Sequence, residues 1–454
     1  MTAAMPTIPG RRSRFAVDIA LEVQRQGTLG FFEAAWRRYG DFARIQIGSR
    51  TLFLAVHPDH VRRITVERRD AYGKGASYEN VRQLLLGDGL VASNGALWRR
   101  QRKLMAPFFT PRAAETYLPI MVEDFAWFRG RWDAAARRGE PVDMLAEMSV
   151  LTASIILKSM FSLESADTID WLKETVETMM AFVSSRQMNP FHAPLWVPTP
   201  GNRAYLAARE RVNGYIQDVM AKRRRMPAEQ WPDDLLSRMM LARDEETGAP
   251  MSDELLRDES ITIFFAGHET TARTLAFLWH ALAENPAVAA RMHAEIDAVL
   301  GDGAPTIARL KRLPYTLQVI KETLRLYPAA PMYARDTMAP DEINGVPIPP
   351  GAQMMLLPYL THRHPDFWPD PERFDPDRWQ PELEARRHPF AYHPFAAGQR
   401  ICLGNNFSLF ESHVLVALVA RHFAPRTVAG HAPQWWMEGT LTSRNGLPML
   451  IAQR

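Results

Sequence analysis

The stretch Phe395-Ala-Ala-Gly398-Gln-Arg400-Ile-Cys402-Leu-Gly404 contains the only cysteine in a chain of 454 residues. A single thiol excludes an intrachain disulfide, and it cannot by itself form a zinc or iron–sulfur cage. It can act as a nucleophile, or as the one protein ligand of a haem iron whose other ligands are four porphyrin nitrogens. The alternative is an inert cysteine that packs as a small hydrophobic side chain.

The neighbours of the cysteine favour the metal ligand. Gly398 and Gly404 permit backbone geometry that a side chain would obstruct, and they let amide N–H groups approach a thiolate. Phe395 can shield the sulfur, and Arg400 can reach anionic groups such as haem propionates. The stretch resembles, at every fixed position, the haem-binding loop of the cytochrome P-450 family, Phe-x-x-Gly-x-Arg-x-Cys-x-Gly. The resemblance implies haem b (iron protoporphyrin IX) as the cofactor and Cys402 as its axial ligand.

A second segment predicts the oxygen chemistry. A long helix is expected from Ser252, a plausible N-cap, to Glu284, before Asn285-Pro286. It contains Ala266-Gly-His-Glu269-Thr270-Thr, a poor helix interior because glycine costs about 1 kcal/mol relative to alanine and threonine is stiff. A threonine bonded back to a carbonyl and a solvent-facing glutamate would be the ordinary alternative. The segment resembles the oxygen-binding segment of the family, which implies that Thr270 hydrogen-bonds dioxygen and Glu269 relays protons.

A third motif is expected to be structural. Glu322 and Arg325 are one helical turn apart, as are Glu22/Arg25, Glu254/Arg257 and Glu384/Arg387, which read as weak surface pairs. The first pair differs in its context, because it lies in Glu322-Thr-Leu-Arg-Leu-Tyr-Pro328, which is followed by Pro371-Glu-Arg373-Phe374 and then by the cysteine stretch. This order resembles the family's Glu–Arg–Arg network, and it implies that Glu322, Arg325 and Arg373 lock the chain beneath the haem.

The remaining haem contacts are predicted on a helix and a later segment. Trp98-Arg-Arg-Gln-Arg102 resembles the Trp-x-x-x-Arg helix of the family, and its spacing puts an indole N–H and a guanidinium on one face. Both groups can hold a haem propionate. Arg335, ten residues after Arg325, is a further propionate candidate by position, with a surface arginine as the alternative.

The rest of the chain predicts a mainly α fold with a minor β region, in one domain over residues 1–454, with the long helix crossing the haem. Residues 1–25 are expected to be irregular. Helical periodicity covers 114–135, 142–162, 167–187, 203–224 and 405–422, and hairpins are expected at 42–56 and at Asn344-Gly345. Four prolines make 188–202 a loop, which its aromatic residues suggest is a mobile, partly apolar lid.

Composition narrows the class of protein. The chain is 46% hydrophobic and 23% charged with a net charge of +3, which is ordinary for a soluble globular protein and gives no reason to expect nucleic acid. No apolar signal region and no spanning stretch are apparent, so we expect no transmembrane anchor and a soluble bacterial type in the cytoplasm. Peripheral membrane contact through Arg11, Arg12, Arg14 and Phe31-Phe32 is the alternative.

Together these motifs predict a haem-thiolate monooxygenase that inserts one oxygen atom from O2 into an apolar small molecule, such as a fatty acid or terpenoid. Phe265, Ala266, Ala330 and Met332 are the predicted pocket residues. Electrons would come from a separate ferredoxin or flavodoxin with its reductase, docking on Arg99, Arg100 and Lys103. A peroxide-driven peroxygenase and a haem-binding sensor without turnover are the alternatives. The acid–alcohol pair, Glu269 and Thr270, argues against both.

Overall fold

A long helix organises the fold. The computed structural model describes residues 9–13, 17–163, 166–188 and 192–454. The helices are α1 Val17–Tyr39, α2 Pro58–Arg62, α3 Glu79–Val81, α4 Gly95–Met105, α5 Pro111–Glu115, α6 Leu118–Arg138, α7 Met144–Phe161, α8 Ala166–Met188, α9 Pro200–Arg224, α10 Leu235–Leu241, α11 Asp253–Glu284, α12 Pro286–Leu300, α13 Ile307–Leu310, α14 Pro314–Leu326, α15 Pro358–Thr361, α16 Pro381–Arg386 and α17 Asn405–His422. The 32-residue α11 packs against α7, α14 and α17, so its central part lies in the main hydrophobic core.

The strands form a minor part at the edge of the helical body. They are β1 Gly10–Ser13, β2 Phe42–Ile47, β3 Arg50–Ala55, β4 Tyr72–Gly73, β5 Pro141–Asp143, β6 Tyr333–Thr337, β7 Asp341–Ile343, β8 Val346–Ile348, β9 Gln353–Leu356, β10 Phe423–Thr427, β11 Trp435–Glu438, β12 Thr440–Ser443 and β13 Pro448–Gln453. The largest sheet has the order β1-β2-β3-β9-β6-β4, with β1/β2 and β3/β9 parallel and the other pairs antiparallel. This sheet brings β4 and β6 together.

Local signals located most elements correctly. The predicted helix 405–422 coincides with α17, and the Ser252 hydroxyl caps α11 by accepting from the Leu255 N–H at 3.2 Å. Both predicted hairpins are present, as β2/β3 and β7/β8. The segment 114–135 divides into the end of α5 and most of α6. Proline explains the break, because Pro119 has no N–H to donate and is tolerated only in the first turn of a helix.

The expectation of an irregular segment 1–25 is wrong where the structure describes it. Residues 10–13 form β1 beside β2, and α1 begins at Val17. Residues 1–8 and 14–16, including Arg14, lie outside the described residues. The alternative of peripheral membrane contact through Phe31 and Phe32 is also wrong, because these rings are 5% and 6% exposed and pack in a core cluster.

The apolar helix α7 is a core element. Within the described part of the chain it is the one helix long and apolar enough to span a membrane, but 72% of it is buried inside the fold. Of the predicted loop 188–202, residues 192–199 form a loop, but Met188 is the last residue of α8 and residues 200–202 begin α9; residues 189–191 lie outside the described residues. The Arg186 guanidinium donates to the Ala193 carbonyl at 2.6 Å, and the Asn202 amide donates to the carbonyls of Pro194 and Val197. These bonds fasten the loop to α8 and α9.

Candidate active site

The cysteine lies in a tight reverse turn ahead of α17. Its N–H donates to the Phe395 carbonyl at 2.8 Å, and Ala396 and Gly398 both have positive φ, 59° and 68°. A Cβ on Gly398 would lie 2.0 Å from the Thr65 carbonyl oxygen. Glycine is therefore required at this position both by conformation and by close approach of another segment.

Glycine is not required at position 404 for either of these two reasons. Its φ of −82° is available to any residue, and a Cβ placed there would lie 4.0 Å from the Cys402 sulfur, an ordinary contact distance. The expectation that a side chain at this position would obstruct the backbone is thus wrong for the protein atoms alone. The Gly404 amide does interact with the sulfur as a hydrogen-bond donor.

The sulfur of Cys402 faces an internal space. Its side chain is accessible to solvent, yet burial among surrounding protein atoms is the main influence on its thiol and raises the pKa. Both observations hold for a group that lines an enclosed cavity. The Gly404 amide and the positive charges of Arg102 and Lys74 act in the opposite direction, because they favour the thiolate.

Basic side chains gather next to this space without carboxylate partners among the described residues. Arg102 donates to the Ile401 carbonyl at 2.6 Å, and Arg335 donates to the carbonyl of Ala334. Arg400 donates to the Ser93 carbonyl, contacts the Asn94 side chain and lies 4.2 Å from the centre of the Trp98 ring. Lys74 donates to the Val91 carbonyl. Each of these four basic side chains therefore donates to a neutral carbonyl or amide oxygen.

The electrostatics of this cluster favour an anion. Burial, together with the like charges of Arg335 and Arg102, lowers the pKa of Arg400 to about 10. The pKa of Lys74 is well below its usual range for the same reasons, burial first and then Arg335 and Arg400. A dianionic group between these side chains would relieve the mutual repulsion, which fits the two propionates of a haem. The sequence did not single out Lys74, because no local pattern marks its approach to residues about 260 and 330 positions later.

The middle of α11 faces the cavity. Phe265, Ala266, Gly267, Glu269 and Thr270 are only partly buried, whereas residues 259–264 and 274–282 are buried. Such a change on one helix inside the core indicates that this part borders open space. The face includes Phe265 and Ala266, two of the predicted pocket residues.

The two threonine hydroxyls of the motif have different surroundings. Thr270 donates to the Ala266 carbonyl at 2.8 Å, the back-bond considered above, and its oxygen retains acceptor capacity. The hydroxyl of Thr271, which is 1% exposed, lies 3.1 Å from that of Ser408 on α17. Only Thr270 belongs to the partly accessible face.

Glu269 does not face solvent. Its Oε1 accepts from the Thr440 hydroxyl at 2.9 Å and from Arg273 at 3.3 Å, and the carboxylate side chain is 15% exposed. Its Oε2 is buried and has no hydrogen-bond partner in the part of the chain that the structure describes. The acid and the alcohol of the motif therefore lie on one stretch of helix at the cavity, in a sheltered environment.

The buried ion pair of α14 has a different second arginine from the one predicted. Arg325 binds the Glu322 carboxylate through two bonds of 2.8 and 2.9 Å, and both side chains are fully buried. The other guanidinium next to Glu322 is that of Arg378, whose Nε lies 3.4 Å from the carboxylate. Arg373 is exposed and contributes only its carbonyl, which accepts from Arg325 at 3.0 Å.

The direction of the loop decides which arginine reaches Glu322. The turn before residue 376 orients the Arg373 side chain outward, while the following 3-10 turn, Pro376–Trp379, directs Arg378 and Trp379 towards Glu322. Three of the other Glu-x-x-Arg motifs of the sequence have ion-pair partners outside the motif. In the structure Glu22 pairs with Arg11, Arg257 pairs with Asp258, and Glu384 pairs with Lys321.

Two further groups of predicted residues are only partly brought to the site. Ala330 is partly buried, whereas Met332 packs on the cluster of the large sheet.

Arg99 is exposed on α4, but Arg100 and Lys103 are already paired, with Asp244 at 3.1 Å and Glu245 at 3.0 Å. The basic surface expected for an electron donor is therefore partly neutralised by an acidic turn of the same chain.

Comparisons with known proteins agree with this geometry. The family model described as Cytochrome P450 matches residues 9–447. The chain is 35% identical to the cyclooctat-9-en-7-ol 5-monooxygenase of Streptomyces melanosporofaciens over 415 residues, 88% of each protein. It is 30% identical to the pentalenene oxygenase of Streptomyces avermitilis, with 85% of this chain and 84% of the relative covered. The crystal structure of the cytochrome P450DA heme domain superposes with a TM-score of 0.89 at 29% identity, covering 100% of this chain and 99% of that one.

Proposed function

The chain belongs to the cytochrome P450 family and is a monooxygenase of that family, and we propose that it oxidises a cyclic terpenoid at a haem b ligated by Cys402. The basic side chains beside the internal cavity carry the cofactor assignment, since they have no carboxylate partner among the described residues and match an added anionic group. Bacterial relatives named for oxidation of cyclooctat-9-en-7-ol and pentalenene support the substrate class.

The residues that would hold the haem divide by chemistry. Cys402 would supply the thiolate, and the Gly404 amide would temper its charge. Trp98, Arg102, Arg335 and Arg400 would bind the propionates, and we add Lys74 to this set. Phe395 and Gly398 would shape the turn that presents the sulfur. When bound, the haem supplies the activation of dioxygen and the transfer of one oxygen atom.

The residues of α11 would handle protons. The Glu269 carboxylate would relay protons, because its Oε2 has no hydrogen-bond partner among the described residues and so retains the capacity to accept one. The Thr270 hydroxyl, partly accessible at the same cavity, would orient the accepting group. Exclusion of other water matters, because it limits the protons that can reach the reactants.

An apolar wall would orient the substrate. Phe265 and Ala266 present carbon surface to the cavity, and Ala330 is partly accessible. A rigid polycyclic substrate loses little conformational entropy on binding such a surface, which favours it over a flexible fatty acid. A separate ferredoxin or flavodoxin, with its reductase, would supply electrons in the cytoplasm.

Spectroscopy of the purified haem protein tests the cofactor and the substrate class. The reduced carbon monoxide complex should have the red-shifted Soret band of a thiolate ligand, and Cys402→Ser should abolish it. A matched panel of cyclic terpenoids and fatty acids of similar carbon number should then be scored by the spin-state shift of the oxidised protein. A shift with fatty acids alone would overturn the terpenoid assignment, and a wild type without the red-shifted band would overturn the ligand.

Turnover tests the reaction type. With an electron-donor system, Thr270→Ala should consume electrons but divert them to peroxide, whereas Thr271→Ala should couple better, because Thr271 bonds to Ser408 away from the cavity. Product formed from peroxide alone, at the rate seen with the donor system, would favour the peroxygenase alternative.

A further inference from the structure

A hairpin near the C-terminus reaches α11 at the candidate proton-relay carboxylate. Strands β11 and β12 pair antiparallel, with Glu438 opposite Thr440 and Gly439 between them at φ 86°. The hairpin tip is fixed on one side by the Leu441 N–H, which donates to the Ala329 carbonyl at 2.9 Å. The Thr440 hydroxyl can therefore act from a fixed position.

The contacts of the Glu269 carboxylate are asymmetric. Thr440 at 2.9 Å and Arg273 at 3.3 Å both reach Oε1, while Oε2 is buried without a partner among the described residues. Arg273 is four residues along the same helix, so its contact is local. Thr440 is 171 residues away in sequence, and it forms the shorter of the two bonds. Its 9% exposure keeps water from replacing the hydroxyl easily.

We propose that Thr440 is a positioning residue for Glu269: its hydroxyl, together with Arg273, holds Oε1 and so fixes the carboxylate on the partly buried face of α11 that also carries Thr270. The proposal rests on the proposed proton-relay function of Glu269. Without the Thr440 bond only the local contact with Arg273 remains, so the Glu269 side chain can adopt other rotamers. Fewer molecules then hold the carboxylate beside Thr270.

The test compares Thr440→Val, Thr440→Ser and Thr442→Val in the haem-loaded enzyme with its electron donors. Valine keeps the shape of threonine without the hydroxyl, and serine keeps the hydroxyl. Thr442 lies on the same strand, is 7% exposed and pairs with Trp436, so it controls for damage to the hairpin. Product per electron consumed should fall at least threefold in Thr440→Val, while Thr440→Ser, which keeps the hydroxyl, and Thr442→Val remain near the wild type.

Further variants separate this proposal from the proton-relay function itself. Glu269→Gln should uncouple the enzyme, and adding Thr440→Val to it should have no further effect. Unchanged coupling in Glu269→Gln would overturn the relay, and the positioning role with it. Uncoupling in Glu269→Gln, with coupling unchanged in Thr440→Val, would overturn the positioning role alone. Equal losses in Thr440→Val and Thr442→Val, or an equal loss in Thr440→Ser, would also overturn it.

Discussion

The buried carboxylate of Glu322 allows a matched test of which arginine completes its network. Arg378 contacts it at 3.4 Å and also donates to the carbonyls of Pro369 and Asp370 at 2.6 and 2.7 Å, with a side chain only 11% exposed. Breaking a buried ion pair typically costs 3–5 kcal/mol. Because Arg325 still neutralises the carboxylate, we expect the low end for Arg378→Ala, about 3 kcal/mol.

The same reasoning predicts almost no effect for Arg373→Ala. Its side chain is exposed, and the alanine variant keeps the carbonyl that Arg325 uses. Surface substitutions of this kind usually stay within about 0.5 kcal/mol. The two variants differ by five positions in one loop and remove the same side chain, so each controls for the other.

Thermal unfolding and haem content measure the difference. At about 2 cal/mol/K per residue, a chain of 454 residues has an unfolding entropy near 1 kcal/mol/K, so about 3 kcal/mol lowers the Tm by roughly 3 °C. Arg378→Ala should show this loss with reduced haem occupancy, while Arg373→Ala stays within about 0.5 °C of the wild type. An equal loss in both variants, or a larger one in Arg373→Ala, would refute the assignment of Arg378 to the network.

Three other perturbations follow from single contacts. Gly398→Ala places a Cβ 2.0 Å from a carbonyl oxygen at a φ of 68°, so haem content and Tm should fall sharply. Gly404→Ala should leave the Tm of the haem-free protein unchanged, because a Cβ at this position meets only an ordinary contact. An equal loss of Tm in both variants would contradict this difference. Burial raises the pKa of Glu259 to about 8, so its stability contribution is present below its ordinary pKa of 4.5 and is lost as the pH rises towards 8. Relative to Glu259→Gln, the free energy of unfolding of the wild type should fall by up to about 4 kcal/mol between pH 4.5 and 8.5, which the Tm measures. A difference in Tm between the two proteins that stays constant over this range would exclude a titration of Glu259. Glu245→Gln removes a partner of Lys103, so the apparent KM for an acidic ferredoxin should fall about two- to fivefold at low salt. At high salt the apparent KM should equal that of the wild type. No change at low salt would exclude this surface as the docking site of the electron donor.

Signals that depend on near neighbours in the chain were sufficient for much of the fold and part of the site. The predicted limits of α17 are correct, and Ser252 caps α11, because caps and hydrophobic periodicity are properties of a few adjacent residues. The spacing around Cys402 likewise predicted a turn that needs glycine at position 398, which the close approach of Thr65 explains.

Other features depend on which segments meet in three dimensions, and the sequence contains no local trace of them. Arg373 and Arg378 both lie about fifty residues after Glu322, and their separation from it in sequence does not distinguish them. The direction of the loop brings Arg378 to the carboxylate. Lys74 joins Arg335 and Arg400 through the packing of distant segments, including β4 beside β6. Thr440 reaches Glu269 from a hairpin near the C-terminus. Local propensity is set by short-range sterics and hydrogen bonds, whereas these contacts form only when the whole core packs, so the tertiary structure alone decides them.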